Sequence, residues 1–371
     1  MVSSFKTQLR SLNYKELAAF LKSFDLPRFR TDQILDWLHK KNAVDFSEMK
    51  NLSPDLRNKL KEHSEVSVLE LVEVVGARSP RPGGETPPLQ DFAIGNRDSI
   101  KYLMKTQDGH LLESVLIAQS GRRTVCVSTQ LGCRIRCTFC ASGKGKFGRN
   151  LTAGEIVEQV SLISRHIKEP VTNVVFMGMG EPLDNYEATM KAIEILTEKW
   201  GFGLGGRRIT VSTSGLTPMI EKFVHDSRGR VRLSVSLHSS DQETRSYLVP
   251  INRKYKLDEL IQSLEKIHKT LKREITFEYT LISGINDSTK EAQGVGRLAA
   301  RLGAKVNLIP YNPIKEMDYK SPDPAQVELF RKSLENKNVH VTVRQTAGRD
   351  IDAACGQLRL DREFSGSNPQ D

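Results

Sequence analysis

Residues 124–143 read TVCVSTQLGCRIRCTFCASG. The opening TVCVST is rich in β-branched and small side chains, the pattern of a strand. A loop follows directly. It carries Cys133, Cys137 and Cys140, a C-x3-C-x2-C spacing with an aromatic residue, Phe139, before the last cysteine. Three thiolates on one short loop can bind three irons of a [4Fe–4S] cubane and leave the fourth iron without a protein ligand. An open iron is what a catalytic cluster needs, because a substrate or cofactor can coordinate there. Structural zinc is the competing reading. Zinc sites are usually closed by four ligands, commonly as paired C-x2-C units. This chain has no second pair and no histidine close in sequence, and Cys126 lies seven residues back on the preceding strand.

From this strand onward the pattern is strand–helix alternation. Candidate strands occupy 124–129, 173–177, 209–213, 232–237, 275–281 and 305–309, with helical patterns at 153–167, 186–199, 257–271 and 288–302. Six such units imply a parallel sheet curled toward a barrel. A last strand at 339–344 leads into Cys355, and the polar tail after residue 360 is expected to fray. Upstream, 14–24 and 31–41 read as amphipathic helices, and a third starts at Ser53-Pro54, where Ser caps and Pro occupies the first turn. A strand at 67–75 precedes a Pro- and Gly-rich loop at 78–90. A hairpin follows, with arms near 99–106 and 111–118 turning at Asp108-Gly109. The expected division is a helical, RNA-binding accessory domain at 1–66, a β-extension and linker at 67–120, the barrel with its C-terminal cysteine loop at 121–360, and a flexible tail at 361–371. The fold class is therefore α/β: a partial (βα)6 barrel with a small N-terminal helical domain and a β-hairpin extension.

The chain has 371 residues and a net charge of +10, which favours a polyanionic partner such as RNA or DNA. Basic residues gather after the cluster loop (Lys144, Lys146, Arg149), before the third barrel strand (Arg207, Arg208) and on the N-terminal helices (Lys15, Lys22, Arg28, Arg30, Lys40, Lys41). No segment approaches 18 uninterrupted apolar residues, so no membrane span is expected. The N-terminal MVSSFKTQLRSLNYKEL lacks an apolar core and a cleavage site, so no secretory signal is expected and the location is cytoplasmic. Of five cysteines, four fall within fifteen residues. That odd, crowded set argues for metal ligation or thiol chemistry rather than a disulfide framework.

Polar residues collect at the C-terminal ends of the barrel strands, the face where barrel enzymes place their sites. Residues 176–183 read FMGMGEPL, where glycines admit close backbone approach and Glu181 can pair with an ammonium group. The third strand ends in Ser212-Thr213-Ser214-Gly215, the fourth in Ser236-Leu237-His238-Ser239, and the sixth runs into Pro310-Tyr311-Asn312-Pro313.

The cysteine spacing with Phe139 resembles the radical S-adenosylmethionine (SAM) superfamily. Over nearly the whole chain the sequence resembles the RlmN/Cfr family of RNA methyltransferases. The segments that carry this are YKELAAFLKSFDLPRFRTDQILDWLHKK, CVSTQLGCRIRCTFCASG, FMGMGEPLDN, RRITVSTSG, SLH, LVPINRKY, NLIPYNP and DIDAACGQL. The resemblance implies a radical-SAM barrel that binds a [4Fe–4S] cluster through Cys133, Cys137 and Cys140, with the methionine end of SAM on the open iron. It implies cofactor contacts at Gly180, Glu181, Ser212, Ser236, Leu237, His238 and Asn312, and catalytic roles for Glu113, Cys126 and Cys355.

The resemblance implies methylation of adenine in RNA, here at carbon 2, an electron-poor position that cannot attack a sulfonium methyl group. Two SAM molecules are used per turnover. Cys355 takes a methyl group from the first, and the second is cleaved to a 5′-deoxyadenosyl radical that abstracts hydrogen from that methyl. The methylene radical adds to adenine as a protein–RNA crosslink, which Cys126 resolves by forming a disulfide with Cys355. Glu113 matches the general acid/base carboxylate. The implied substrates are 23S ribosomal RNA, at the peptidyl-transferase centre, and transfer RNA, at the adenine 3′ of the anticodon. A flavodoxin or ferredoxin is the implied electron donor, and the enzyme is expected to be a monomer. Two alternatives stand beside this reading. One is carbon-8 methylation of the Cfr type, although Pro182 after Gly-Met-Gly-Glu and Tyr311-Asn-Pro look more like the carbon-2 group. The other is a non-catalytic RNA-binding protein with a structural metal.

Overall fold

The computed structural model describes residues 6–76, 99–119, 121–271, 273–314, 317–344 and 356–358. The chain begins with a helical head: β1 (Thr7–Gln8), α1 (Tyr14–Lys22), α2 (Phe29–Leu35) running into a π turn (Asp36–Lys40), α3 (Pro54–His63) and β2 (Ser64–Glu65). Asn13 and Glu16 cap α1 reciprocally at 3.0 and 2.9 Å, and Ser53 with Pro54 starts α3. Leu9, Leu17, Leu21, Ile34, Leu38, Phe46, Met49 and Leu60 form this head's own core.

Three antiparallel strands come next: β3 (Leu69–Gly76), β4 (Ser99–Thr106) and β5 (Leu111–Gln119). The hairpin extension and β3 continue the barrel sheet, because β5 pairs antiparallel with the first barrel strand. Asp108 and Gly109 make the turn, with Gly109 at φ 86°, and the Gly109 N–H donates to the Thr106 carbonyl at 2.9 Å.

The barrel strands are β6 (Arg122–Cys126), β7 (Asn173–Phe176), β8 (Ile209–Thr213), β9 (Arg232–Ser236), β10 (Thr276–Leu281) and β11 (Lys305–Pro310). They pair in parallel and in chain order, and a short β12 (Val341–Val343) adds beyond β11. The helices are α4 (Ala141–Lys144), α5 (Ala153–Ile167), α6 (Tyr186–Thr197), α7 (Thr217–Asp226), α8 (Gln242–Leu248), α9 (Leu257–His268), α10 (Thr289–Leu302) and α11 (Pro324–Glu335). The ten-stranded sheet ends at β3 and β12, so the barrel is open. Strand β6 stops at Cys126, short of the expected 129. Beyond Val127 the backbone leaves the ladder: the Ser128 N–H donates to the Gln159 side chain (2.8 Å) and the Thr129 N–H to the Met179 carbonyl (2.8 Å).

Strand alternation sorts the side chains. Val125, Val174, Val211, Val235, Phe277 and Val306 are fully buried in the main core. The opposite face presents Thr124, Cys126, Thr210, Ser212, Ser236, Glu278 and Thr280, which line cavities. An ordinary (βα)8 barrel packs its interior with branched apolar residues; this one leaves cavities in which polar strand residues stand beside apolar ones such as Val175 and Met177.

The head joins the barrel through α5, which is buried along nearly its whole length. Glu158 on α5 accepts from the Val68 N–H (2.6 Å), the Leu69 N–H (3.1 Å) and the Ser67 hydroxyl, and faces Arg10 Nε at 3.7 Å. Arg10 donates to the Leu38 and Ala43 carbonyls. Both side chains are fully buried, so this ion pair is a structural joint. No helix among the described residues is long and apolar enough to cross a membrane.

Candidate functional site

A cavity of about 140 Å³ opens at the C-terminal ends of the barrel strands. Cys133, Cys137 and Cys140 line it, together with Gly180, Glu181, Ser212, Ser236 and His238. The three cysteines reach it from one loop because the chain folds tightly there. Arg136 sits at φ 57°, and the Cys140 N–H donates to the Cys137 carbonyl at 3.2 Å. Burial pushes the Cys133 thiol up to about 12 and the Cys137 thiol well above its ordinary value, and the neighbouring thiols add to both. Half-buried thiols crowded on one short loop are a poor arrangement unless a cation replaces their protons, and they share their cavity with a polar shelf.

The shelf is Gly180-Glu181. Gly180 has φ 100°, and a Cβ there would lie 2.6 Å from Gln130 Cβ, so backbone and Gln130 meet directly. Gln130 accepts from the Glu181 N–H at 2.8 Å and donates to Asp184 at 2.7 Å and Asn150 at 2.9 Å. The Glu181 carboxylate accepts from the Ser214 N–H (2.7 Å) and the Leu183 N–H (3.2 Å), and burial raises its pKa. Burial disfavours its charge, and a bound ammonium group would compensate for that.

His238 lies at φ 56°, with its ring edge-on to Phe139, 4.7 Å between centroids. Nδ1 accepts the Thr280 N–H at 2.9 Å, which assigns the proton to Nε2. Burial, then Arg245, holds this imidazole neutral, at about 3. Leu237 is buried beneath the cavity, its N–H on the Glu278 carbonyl (3.0 Å). Asn312 is buried beside Tyr311, which does line the cavity.

A second chamber of about 70 Å³ adjoins the first and contains Cys126. Cys140, Ser142, Met177, Gly178, Arg344 and Gly356 border both chambers. Cys355 lies outside the described residues, but its successors do not. The Gly356 carbonyl accepts the Ala141 N–H at 2.8 Å and the Leu358 carbonyl accepts the Ser142 hydroxyl at 2.6 Å, which fastens this segment to the cluster loop. Glu113 lines neither chamber. It is buried on β5 with Lys101 Nζ at 3.1 Å, two residues from Val115, which pairs with Cys126 and so shares its sheet face. From sequence alone Glu113 would pass for a solvated hairpin residue; the added β3–β5 layer buries it.

Sequence reasoning missed three residues. Arg245 is buried and donates to the carbonyls of Leu237 (3.0 Å), Ser214 (2.8 Å) and Ser236 (3.2 Å), fixing the ends of β8 and β9. Gln130 braces the shelf. Glu278 projects into the cavity, held by Ser234 (3.1 Å) and Asn307 (2.7 Å). Only Glu278 left a signal, as a lone acid at an inward position of the strand ITFEYTL. One expectation needs correcting: Arg149 is not available to phosphates, because it bridges Asp108 (2.6 Å) and Glu155 (2.7 Å).

Residues 127–292 match the radical SAM superfamily, and residues 7–66 match the ribosomal RNA large subunit methyltransferase N-terminal domain. The chain is 38% identical over 358 residues to a protein of Fervidobacterium nodosum named "Probable dual-specificity RNA methyltransferase RlmN", covering 95% of this chain and 97% of that one. A protein of the same name from Desulforamulus reducens is 40% identical over 363 residues, covering 98% of both. The chain belongs to the RlmN family of radical SAM RNA methyltransferases.

The crystal structure of a radical SAM methyltransferase from Sphaerobacter thermophilus superposes with a TM-score of 0.86 at 40% identity, covering 96% of this chain and 100% of that one. As a radical SAM member of the RlmN family, the chain uses a [4Fe–4S] cluster and SAM and acts on RNA. The non-catalytic, zinc-stabilised alternative is set aside.

Proposed function

We propose that this chain methylates carbon 2 of adenine in 23S ribosomal RNA, at the peptidyl-transferase centre, and in transfer RNA, at the adenine 3′ of the anticodon. The observation that carries this reading is the pair of adjoining chambers, one lined by the three loop cysteines and the other by Cys126, with Gly356, the successor of Cys355, bordering both. The relatives' shared name, a dual-specificity RNA methyltransferase, supports two RNA substrates.

Cys133, Cys137 and Cys140 would hold the cluster, while Gly180, Glu181, Ser212, Ser236, Leu237, His238 and Asn312 bind and orient SAM. When bound, these groups supply the methyl carbon and the one-electron chemistry that activates it. The protein's part is carried by two sulfurs. Cys355 Sγ takes the methyl carbon and gives up its thiol proton; after the bound cofactor's one-electron chemistry removes a hydrogen from that methyl, the carbon would bond to the base, whose ring hydrogen leaves as a proton, and so bridge enzyme and base. Cys126, as a thiolate, then attacks Cys355 Sγ: the S–S bond forms as the carbon–sulfur bond breaks, and the electron pair left on the carbon takes a proton as the methylated base leaves. Two equivalents of an external thiol reopen the disulfide. Glu113, its charge balanced by Lys101, serves as the general acid/base. The basic head at 1–66 grips RNA, and Lys15, Lys22, Arg28 and Arg30 would supply salt-dependent phosphate contacts. A flavodoxin or ferredoxin delivers the electron, and the enzyme works as a cytoplasmic monomer.

Mass spectrometry of nucleosides from both RNAs, in a deletion strain with and without this chain, tests the reading. The expected product is 2-methyladenosine in each, and 8-methyladenosine would overturn the assignment. Cys126→Ala should accumulate covalently attached RNA. Cys355→Ala should give neither crosslink nor product, and wild-type turnover by that variant would refute the carrier role.

A further inference from the structure

The third cavity faces the opposite end of the barrel. It is a cleft of about 710 Å³ at the N-terminal ends of β6 to β9, bordered by Arg122, Arg207, Arg208, Arg232 and Arg344 and, among the described residues, by no carboxylate. Elsewhere on the surface many basic residues are neutralised: Arg134 by Asp184, Arg149 by Asp108 and Glu155, Arg165 by Glu48, Arg301 by Glu265. Arg122, Arg207, Arg208 and Arg232 are exposed. Among the described residues none of these four has an ion-pair partner; Arg208 donates only to the Thr172 carbonyl, at 3.5 Å. Four unneutralised guanidinium groups around one concave mouth repel each other and would be stabilised by a bound polyanion.

The strand pattern connects this mouth to the reactive chamber. Two strands repeat one inward-facing motif, Arg122-Thr124-Cys126 on β6 and Arg232-Ser234-Ser236 on β9, while Arg207 and Arg208 lie on the single 3-10 turn that leads into Thr210 and Ser212 of β8. Residues i, i+2 and i+4 of a strand share a face, so Arg122 and Arg232 each stand roughly 13 Å below a residue of the upper cavities (four residues at 3.3 Å each). The wall next to the mouth carries Thr124, Asn173 and Thr210 beside Val175, and around Cys126 it becomes apolar, with Val115, Ile117, Met177 and Leu358. Arg344 borders all three cavities, and Val175 is common to the cleft and the Cys126 chamber. The cavity linings therefore adjoin one another from an arginine mouth, past hydroxyl and amide groups, to the apolar chamber of Cys126.

We propose that Arg122, Arg207, Arg208 and Arg232 form a phosphate-binding mouth at the N-terminal end of the barrel, through which the target nucleotide of the RNA enters the lumen toward Cys126, from the side opposite the cofactor shelf. This rests on the RNA-methylation reading. The flanking phosphates stay at the mouth, while the extruded base passes Thr124, Asn173 and Thr210 into the apolar chamber of Cys126, as a base must leave its stack to be modified.

The test uses the full-length, cluster-reconstituted enzyme and a fluorescent RNA stem-loop with an unpaired adenine, with anisotropy measured across a salt series. Each pair variant, R122Q/R232Q and R207Q/R208Q, should weaken binding by about tenfold or more and reduce the slope of log affinity against log salt by about 1.5, since a single-strand phosphate contact accounts for about 0.7. RNA-independent cleavage of SAM should stay at the wild-type rate. R207K/R208K, which keeps the charge, should keep the slope; loss of slope there too would make the arginines structural and overturn the proposal. Neutral methylphosphonate linkages flanking the adenine give a readout on the unaltered enzyme. They should reproduce the loss, and combining them with the glutamine variants should add little more. Wild-type affinity and slope in both glutamine pairs, or full binding of the neutral-linkage RNA, would also overturn it. If the wild-type enzyme itself binds and methylates no RNA, the reading of function fails instead.

Discussion

Gly180→Ala tests whether the shelf depends on backbone contact. The native φ of 100° is a conformation that costs an L-residue about 1–2 kcal/mol. The new methyl would also stand 2.6 Å from Gln130 Cβ and 2.8 Å from both its Cγ and its backbone N. That N–H already donates to the Met179 carbonyl at 3.2 Å, so the backbone cannot retreat without breaking a bond. Overpacking of this kind typically costs about 1–3 kcal/mol, which brings the total to roughly 2–5 kcal/mol. The least costly response is to push Gln130 aside, and Gln130 holds the Glu181 N–H and Asp184. Glu181 would shift with it, and a displacement of about 1 Å at a positioning group can cost on the order of 100-fold in rate. The assay is formation of 5′-deoxyadenosine by reconstituted enzyme over a range of SAM concentrations, with iron content and thermal unfolding measured alongside. The expected outcome is a KM for SAM raised tenfold or more and a lower kcat, with the iron content reporting whether the cysteine loop, which starts just after Gln130, moves as well. A variant with wild-type KM and unfolding temperature would refute the reasoning.

Arg10→Met and Glu158→Gln should each cost about 3–5 kcal/mol in urea unfolding, because each strands a buried charge. The double variant removes both charges and leaves an amide oxygen for the Val68 and Leu69 N–H groups, so it should recover 2 kcal/mol or more; simple addition of the two losses would show that the pair is not coupled. His39 is buried between Arg10, Trp200 and Phe202, 5.5 Å from the Phe202 ring, and neither ring nitrogen has a hydrogen-bond partner among the described residues. Burial, then Arg10, holds it neutral well below its ordinary value. The unfolded chain protonates it below about pH 6.5, so the unfolded state binds the extra proton. Stability is therefore full above that pH and falls by about 1.4 kcal/mol per unit as pH drops below it. His39→Phe should flatten that limb of a stability–pH profile, and an unchanged slope would exonerate the residue.

The sequence by itself determined the parts whose cause is local. The Cys133–Cys140 spacing, the β-branched runs with helical periods between them, and the Asn13 and Thr152 caps depend on near neighbours, so the barrel strands and the cluster loop were legible. Pairing decided the rest. Whether β5 joins β6 is a choice among distant segments, and that choice buries Glu113 and sets it on the face of Cys126. Arg149 and Arg208 look alike in a sequence. Only the fold gives one of them two carboxylates and aims the other into the cleft with Arg122 and Arg232. Arg245 and Gln130 act through backbone groups that come together only when the strand ends converge. The three cysteines mark where the chemistry begins; the opposite end of the barrel, where RNA is proposed to enter, exists only because strand alternation stacks Arg122 and Arg232 below pocket residues, and a 3-10 turn brings Arg207 and Arg208 beside them, once the sheet is formed.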